Sequence, residues 1–226
     1  PIFKGNKIFD SGTSNVVIKG GCIVQFFENF IANPQVHNIV LTDFSSGTFE
    51  HNEIDEAALF AHIAIANCST GRFMHNVIKK GSGPAFSVEE CANPSIVTNT
   101  ISSVREAIHV ATGADPYFHN NHITTCGSGI VVVDDGLGTF TGNSIRLITT
   151  QHVAIARGGD PTVRDNTMNS SSGVGVRVFD GGLGIVEKNK VIACEDACIV
   201  VEGAESTPLI VKNHVGEGDG MGIVSR

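Results

Sequence analysis

Apolar side chains recur along this chain at an interval of 22 to 24 residues. Each interval carries an apolar residue, two variable positions, an Asn, one further variable position and a second apolar residue. Positions in a repeat are counted from its marker Asn, which places the two apolar residues at −3 and +2. The marker occurs ten times, as Asn6, Asn29, Asn52, Asn76, Asn99, Asn121, Asn143, Asn166, Asn189 and Asn213.

A second apolar pattern precedes most markers, with apolar residues at −13 and −11 and a variable residue between them. Ile39 and Leu41 form one such pair, and Ile130 and Val132 form another. Alternation with a period of two predicts a strand with one buried face. Each repeat therefore supplies about three short strands. Such a unit cannot bury its apolar face alone, so neighbouring repeats must stack.

The patterns predict an all-β protein, namely a right-handed, single-stranded parallel β-helix (solenoid) with three short strands per coil. About nine to ten coils would form one domain over residues 1–226. The leucine-rich repeat, whose period and Asn are similar, is the competing interpretation. It requires apolar residues at both −3 and −5. Here position −5 is mostly Gly or Pro, and the chain contains only six Leu, so we reject it.

The marker Asn has a structural interpretation. Asn tolerates left-handed backbone geometry, which suits a sharp bend between two strands. Stacked Asn side chains can also pair their amide donors and acceptors from one coil to the next, as in other stacked β structures. A residue repeated ten times is typical of a scaffold rather than of a catalytic site, so we expect a structural Asn ladder.

Two segments carry a resemblance to known repeats. Residues 159–168 read GDPTVRDNTM, and residues 136–145 read GLGTFTGNSI. Both resemble the parallel β-helix repeats of the F-box-only substrate adaptors and the wider carbohydrate-binding-and-sugar-hydrolase repeats. The resemblance extends over nearly all of the chain and implies the β-helix fold. Proteins of this fold include pectate lyases, mannuronan epimerases and ubiquitin-ligase adaptors, so the resemblance does not select one function.

The charge of the chain excludes several partners. A net charge of −8 argues against nucleic acid, which requires a basic surface, and against an anionic membrane surface. No run of apolar residues is long enough to span a bilayer. The chain starts and stops in the middle of a repeat, so we expect a fragment that lacks its end caps. Exposed strand edges at those ends predict end-to-end self-association.

The six cysteines do not suggest a disulfide framework in a chain of this length. Cys68 and Cys91 both lie at position −8, so they are expected to stack on adjacent coils. We interpret them as small side chains that are buried or half-buried, as free cysteines often are. Unpaired cysteines and the lack of an export signal favour a reducing, cytoplasmic location. No cofactor is expected.

A uronate lyase or epimerase would need a base together with cationic groups that neutralise the substrate. The best candidates are Arg157, Arg177 and His152 on neighbouring coils, opposite Asp134 and Asp180. Their alternative interpretation is a set of solvated charges at strand ends. The chain has no Trp and one Tyr, so an extended aromatic sugar groove is not expected.

Position −9, where the third strand ends, is mainly acidic. The predicted binding residues at this edge are Asp43, Glu89, Glu90, Asp134, Asp135 and Asp180, with Glu202 nearby. Such an edge could simply solvate the solenoid and prevent aggregation. It could also dock a basic peptide or hold a divalent cation weakly. His51 and His75 share position −1, but two ligands without a third do not predict a metal site.

These observations lead to a preferred hypothesis and two alternatives. The preferred one is a non-catalytic β-helix scaffold that recognises another protein, as one module of a larger intracellular protein. The first alternative is a polysaccharide lyase or epimerase that acts on uronates. The second is a structural element that associates through the ends of the helix.

Overall fold

A computed structural model describes residues 1–57 and 59–226, and in this part of the chain all regular structure is β. The strands pair in parallel with the strand one repeat away, so that Phe3 faces Phe26 and Val153 faces Val176. The chain therefore forms a parallel β-solenoid of about ten coils, as the repeat predicts. Three sheets run along its length, and no helix capable of crossing a membrane occurs among the described residues.

Sheet 1 contains positions −4 to −2, immediately before the marker Asn. Its strands are Ile2–Lys4, Ile23–Phe27, Ser46–Glu50, Arg72–Met74, Ser95–Val97, Tyr117–His119, Thr139–Thr141, Thr162–Arg164, Ile185–Glu187 and Leu209–Val211. Sheet 2 follows the marker. Its separate strands are Lys7–Phe9, Phe30–Ala32, Glu53–Ala57, His122–Thr124, Ser144–Ile148, Thr167–Ser171, Lys190–Cys194 and His214–Gly216.

Sheet 3 contains the apolar pair at −13 and −11. Its separate strands are Val16–Ile18, Ile39–Leu41, Ile63–Ile65, Ser128–Val132, Gln151–Ile155, Val174–Val178, Ala197–Val201 and Met221–Ser225. Two long strands, Val77–Val88 and Thr100–Val110, belong to both sheet 2 and sheet 3. The prediction of three short strands per coil is therefore wrong for these two coils. The two strands pair on both sides of the bend, with a register shift between Gly81 and Pro84.

The core consists of stacked columns of the predicted inward positions. Phe49, Phe73, Phe118 and Ile130 are completely buried. The aromatic rings at −3 stack along the axis, and the ring centroids of Phe49 and Phe73 lie 4.5 Å apart with nearly parallel planes. Offset-stacked rings add attraction beyond the burial of their area. Identical apolar residues on successive coils thus stabilise one continuous core.

Position −5 also faces inward, which explains its small residues. A Cβ atom placed on Gly71 would lie 2.9 Å from Cε2 of Phe73, and one on Gly47 would lie 2.7 Å from Cε2 of Phe49. In these two coils the Phe ring at −3 therefore occupies the space that a side chain at −5 would need. Close packing of this kind leaves no room for an additional methyl group.

Three bends with left-handed backbone close each coil. One is at −1 and one at +4 in all ten repeats, and the third uses two consecutive residues at −9 and −8 in most coils. The prediction that the marker Asn itself takes the left-handed conformation is wrong. The residue before it does so, for example His75 (φ 54°) before Asn76. The Asn keeps an ordinary backbone because its side chain bonds along the axis.

The buried Asn side chains bond from coil to coil. Nδ2 of Asn52 donates to Oδ1 of Asn76 (3.0 Å) and to the carbonyl of Phe26 (3.0 Å). The backbone N–H of Asn52 also donates to Oδ1 of Asn76 (2.9 Å). The other interior markers repeat this pattern. Every buried amide in the column thereby gains partners, which buried polar groups require.

Candidate binding surface at the acidic turns

The bend between sheet 3 and sheet 1 carries the predicted acidic positions. Asp134 (φ 50°) and Asp135 (φ 60°) are both left-handed, and the N–H of Gly136 closes the turn on the carbonyl of Val133 at 2.9 Å. This is the geometry of a type I′ turn, in which two left-handed residues reverse the chain. The N–H of Asp135 donates to the carbonyl of Arg157 on the next coil, so the turns stack in register.

Stacked turns place the acidic side chains on one edge of the solenoid. We call this set the acidic turn edge: Asp43, Glu89, Glu90, Asp134, Asp135 and Asp180. All are exposed except Glu89, which is half-buried and accepts a hydrogen bond from Ser87. Among the described residues, Asp43, Glu90, Asp135 and Asp180 form no ion pair. The edge therefore presents uncompensated negative charge to solvent.

Arg157 interrupts this edge. Its Nε and Nη2 atoms donate to the two carboxylate oxygens of Asp134 at 2.6 and 3.0 Å. These hydrogen bonds lower the pKa of Asp134 and raise the pKa of Arg157, which the charge of Asp180 raises further. Both side chains are about half exposed (49% and 48%), so solvent screens much of their attraction.

Arg177 belongs to a different ion pair. It donates to Glu202 at 2.6 Å, and its guanidinium lies 4.3 Å from the ring centroid of Phe179. Hydrogen bonds from Arg226 and Arg177 lower the pKa of Glu202. The two arginines of the lyase hypothesis thus bind carboxylates separately, Arg157 with Asp134 and Arg177 with Glu202. They do not converge on one substrate position.

His152, the third cationic candidate, is completely buried. Its Nε2 lies 3.3 Å from the carbonyl oxygen of Asn169, and burial lowers its pKa to about 4. The prediction that His152 faces a substrate is therefore wrong. An imidazole that is sealed in the protein and neutral at pH 7 cannot contact a polysaccharide.

Position −14 holds a polar column that the sequence patterns did not reveal. Nδ2 of Asn15 donates to Oδ1 of Asn38 (2.9 Å), and Nδ2 of Asn38 lies 3.0 Å from Nδ1 of His62. Burial lowers the pKa of His62 to about 4, and the charge of Asp55 opposes this shift only in part. His152 occupies the same position four coils later. The recurrence of Asn and His at −14 was the available signal.

The two histidines at −1 do stack on adjacent coils. The ring centroids of His51 and His75 lie 5.1 Å apart, and Nδ1 of His75 lies 3.1 Å from the hydroxyl of Thr98. Within residues 1–57 and 59–226, no group of three or more His, Cys, Asp or Glu side chains is placed to hold a metal ion. The stack therefore lacks the ligands of a structural metal site.

The cysteines at −8 differ from expectation. Cys68 and Cys91 are exposed, so the prediction that they are buried or half-buried is wrong. Position −8 belongs to the outward turn rather than to a strand, and its side chains point away from the core. Cys126, Cys194 and Cys198 are the buried cysteines.

The cavities found among the described residues are lined by residues outside the acidic turn edge. One of about 350 Å³ is the open core of the first coils, beside Phe3, and one of about 550 Å³ lies near the last coils, beside Asp196. Two others, of about 400 and 390 Å³, lie between the ends, beside Lys80 and Leu147.

Comparison with known proteins agrees with this architecture. A family model described as a right handed beta helix region matches residues 1–123 and also residues 106–226. Together the two matches cover the whole chain. No curated protein matches the sequence significantly.

Proposed function

Since the chain belongs to the right-handed β-helix family, we propose that it is a non-catalytic scaffold that recognises another protein. In this proposal it is one module of a larger intracellular protein, and its partner contributes a basic peptide segment. The narrower resemblance to F-box-only substrate adaptors is part of the same proposal.

The acidic turn edge is the observation that carries this proposal. Exposed carboxylates occupy position −9 on four alternate coils, as Asp43, Glu90, Asp134 and Asp180, so negative charges are spaced along one edge of the solenoid. Complementary charge steers partners and fixes their register more than it adds raw affinity. Solenoids offer long surfaces of this type for recognition. A segment rich in Lys or Arg is the partner whose chemistry fits this edge.

The lyase hypothesis has less support in the geometry. A lyase requires a base and free cationic groups around one substrate carbon. Here Arg157 and Arg177 are held in separate ion pairs, and His152 is buried. The remaining candidate, Asp180, is an exposed carboxylate whose charge acts on Arg157, but that guanidinium is already bound to Asp134.

Charge reversal at the acidic turn edge tests the proposal. The variant carries Glu90→Lys, Asp135→Lys and Asp180→Lys, which are exposed and left-handed positions. Lysine already occupies left-handed positions in this fold, so the variant is expected to fold. The probe is a fluorescently labelled peptide of alternating lysine and alanine, followed by anisotropy at low and physiological salt. We expect binding by the unmodified chain and at least about tenfold weaker binding by the variant.

A matched control changes the same number of charges elsewhere. Asp10→Lys, Glu28→Lys and Asp165→Lys also replace left-handed carboxylates, but at the other two bends. We expect the control to lose no more than about twofold in affinity beyond the general effect of net charge. An equal loss in both variants would show that the peptide senses only the overall charge, and the acidic turn edge would be discarded as a site.

A further inference from the structure

The two exposed cysteines at position −8 lie side by side on adjacent turns. The N–H of Cys68 donates to the carbonyl of Glu90 at 2.8 Å, and the N–H of Cys91 donates to the carbonyl of Thr112 at 3.2 Å. The turns are therefore in register, with Cys68 facing Cys91. Neighbouring strands in such a stack are about 4.8 Å apart. This separation falls in the range of Cα distances that a disulfide bridges.

The bend at this position has the left-handed backbone found in most coils. Cys68 and Cys91 have φ angles of 52° and 60°. Four other coils have glycine here, and Phe44 and Asp135 adopt the same conformation. Side chains at this outward bend leave the core, so both thiols are exposed and accessible to reagents in solution.

The facing positions of the two turns place the thiols next to each other. Desolvation, the neighbouring Cys91 thiol and the charge of Glu90 together raise the pKa of Cys68. Cys22, the third exposed cysteine, has no cysteine at its own position on an adjacent coil.

We propose that Cys68 and Cys91 form a dithiol modification site, which small-molecule disulfides oxidise to an intrachain disulfide between adjacent turns. In the first step one cysteine thiolate attacks the small disulfide, whose S–S bond breaks to release one thiol. In the second step the other cysteine thiolate attacks the mixed disulfide and releases the second thiol. Two protein thiols are oxidised, and one small disulfide is reduced to two thiols.

Oxidised glutathione is the probe for this proposal. The folded, reduced chain is incubated with it, quenched with an alkylating reagent and mapped by mass spectrometry after proteolysis. We expect a peptide pair joined through Cys68 and Cys91, with two hydrogen atoms lost and no glutathione retained at either residue. Cys22 serves as the internal control and is expected to retain glutathione, because no second thiol can displace it.

Single substitutions test the second step. In Cys68→Ser, glutathione is expected to remain on Cys91, and in Cys91→Ser it is expected to remain on Cys68. Serine preserves the size of the side chain, so both variants should keep the turn. Stable glutathione on both cysteines of the unmodified chain would overturn the proposal. So would a failure of both cysteines to react under conditions in which Cys22 does.

Discussion

At the scale of single residues, the marker Asn stabilises the solenoid through its side chain and not through its backbone. Asn99 donates to Oδ1 of Asn121 and to the carbonyl of Phe73, and it accepts from the N–H and amide of Asn76. Its side chain is almost wholly buried. Removing one Asn therefore affects three coils. Besides its own coil, the preceding Asn loses its acceptor and the following Asn loses one donor.

Replacing Asn99 with Ala is expected to lower the free energy of unfolding by about 3 kcal/mol. The substitution leaves the backbone N–H and one amide hydrogen of Asn76 buried without acceptors, and each unsatisfied group costs about 1–3 kcal/mol. Urea unfolding followed by circular dichroism measures the change. Asn93→Ala, on an exposed turn, is the control and should change stability by less than about 0.5 kcal/mol. Similar values for the two variants would contradict the role of the ladder.

At the scale of elements, packing at −5 and −3 helps to position the strands of sheet 1, and three coils combine Gly at −5 with Phe at −3. The ring of Phe73 lies against Gly71, and the Phe rings of successive coils stack on one another. A strand of three residues has few hydrogen bonds of its own. Its position is fixed by this side-chain packing together with the Asn that follows it.

Gly71→Val is expected to destabilise the fold by about 2 kcal/mol, since overpacking a filled core commonly costs about 1–3 kcal/mol. The new side chain would press on the ring of Phe73 and on the carbonyl oxygen of Gly47, 3.4 Å from the added Cβ. Thermal and urea unfolding report the effect. Gly12→Val is the matched control, because no atom lies within 4 Å of its Cβ position. Equal stability of Gly71→Val and the original chain would refute this packing model.

At the scale of the whole molecule, two imidazoles link stability to pH. Burial lowers the pKa of His62 and of His152 to about 4, below the ordinary value of 6.5. Between these values the unfolded chain binds a proton at each site and the folded chain does not. The contribution of these neutral histidines to the free energy of unfolding is therefore fully present above pH 6.5. It is lost as the pH falls from 6.5 toward 4.

The full shift corresponds to roughly 3 kcal/mol for each histidine, at 1.36 kcal/mol per pKa unit. The variant His62→Ala with His152→Ala is expected to lose most of this pH dependence between pH 6.5 and 4. Alanine suits the site, since Ala85 and Ala107 occupy position −14 in other coils and are buried. Urea unfolding at several pH values measures the slope. If the slope is the same in both proteins, the buried histidines are not its source.

Repeat positions predicted part of the arrangement at the acidic turn edge. The shared position −9 correctly indicated that Asp134 and Asp180 lie at equivalent turns of nearby coils. It did not indicate that Arg157 binds Asp134 in a bidentate pair, or that Arg177 binds Glu202 instead. The repeat position of a residue determines on which coil and at which bend it lies. Which carboxylate an arginine then binds depends on its rotamer and on the residues at neighbouring repeat positions.

The sequence by itself determined the solenoid, its repeat length and its core, because an apolar residue that recurs with the period of a coil must stack on its own copies. Tertiary structure decided which residue before the Asn bends to the left, which polar column is buried and which thiols face solvent. Bends escape the alternation of strands, so a bend residue such as Cys68 could be placed only by the folded chain. His152 lies in the strand Gln151–Ile155, where it and its neighbour Val153 are both buried, so strict alternation did not predict its burial either.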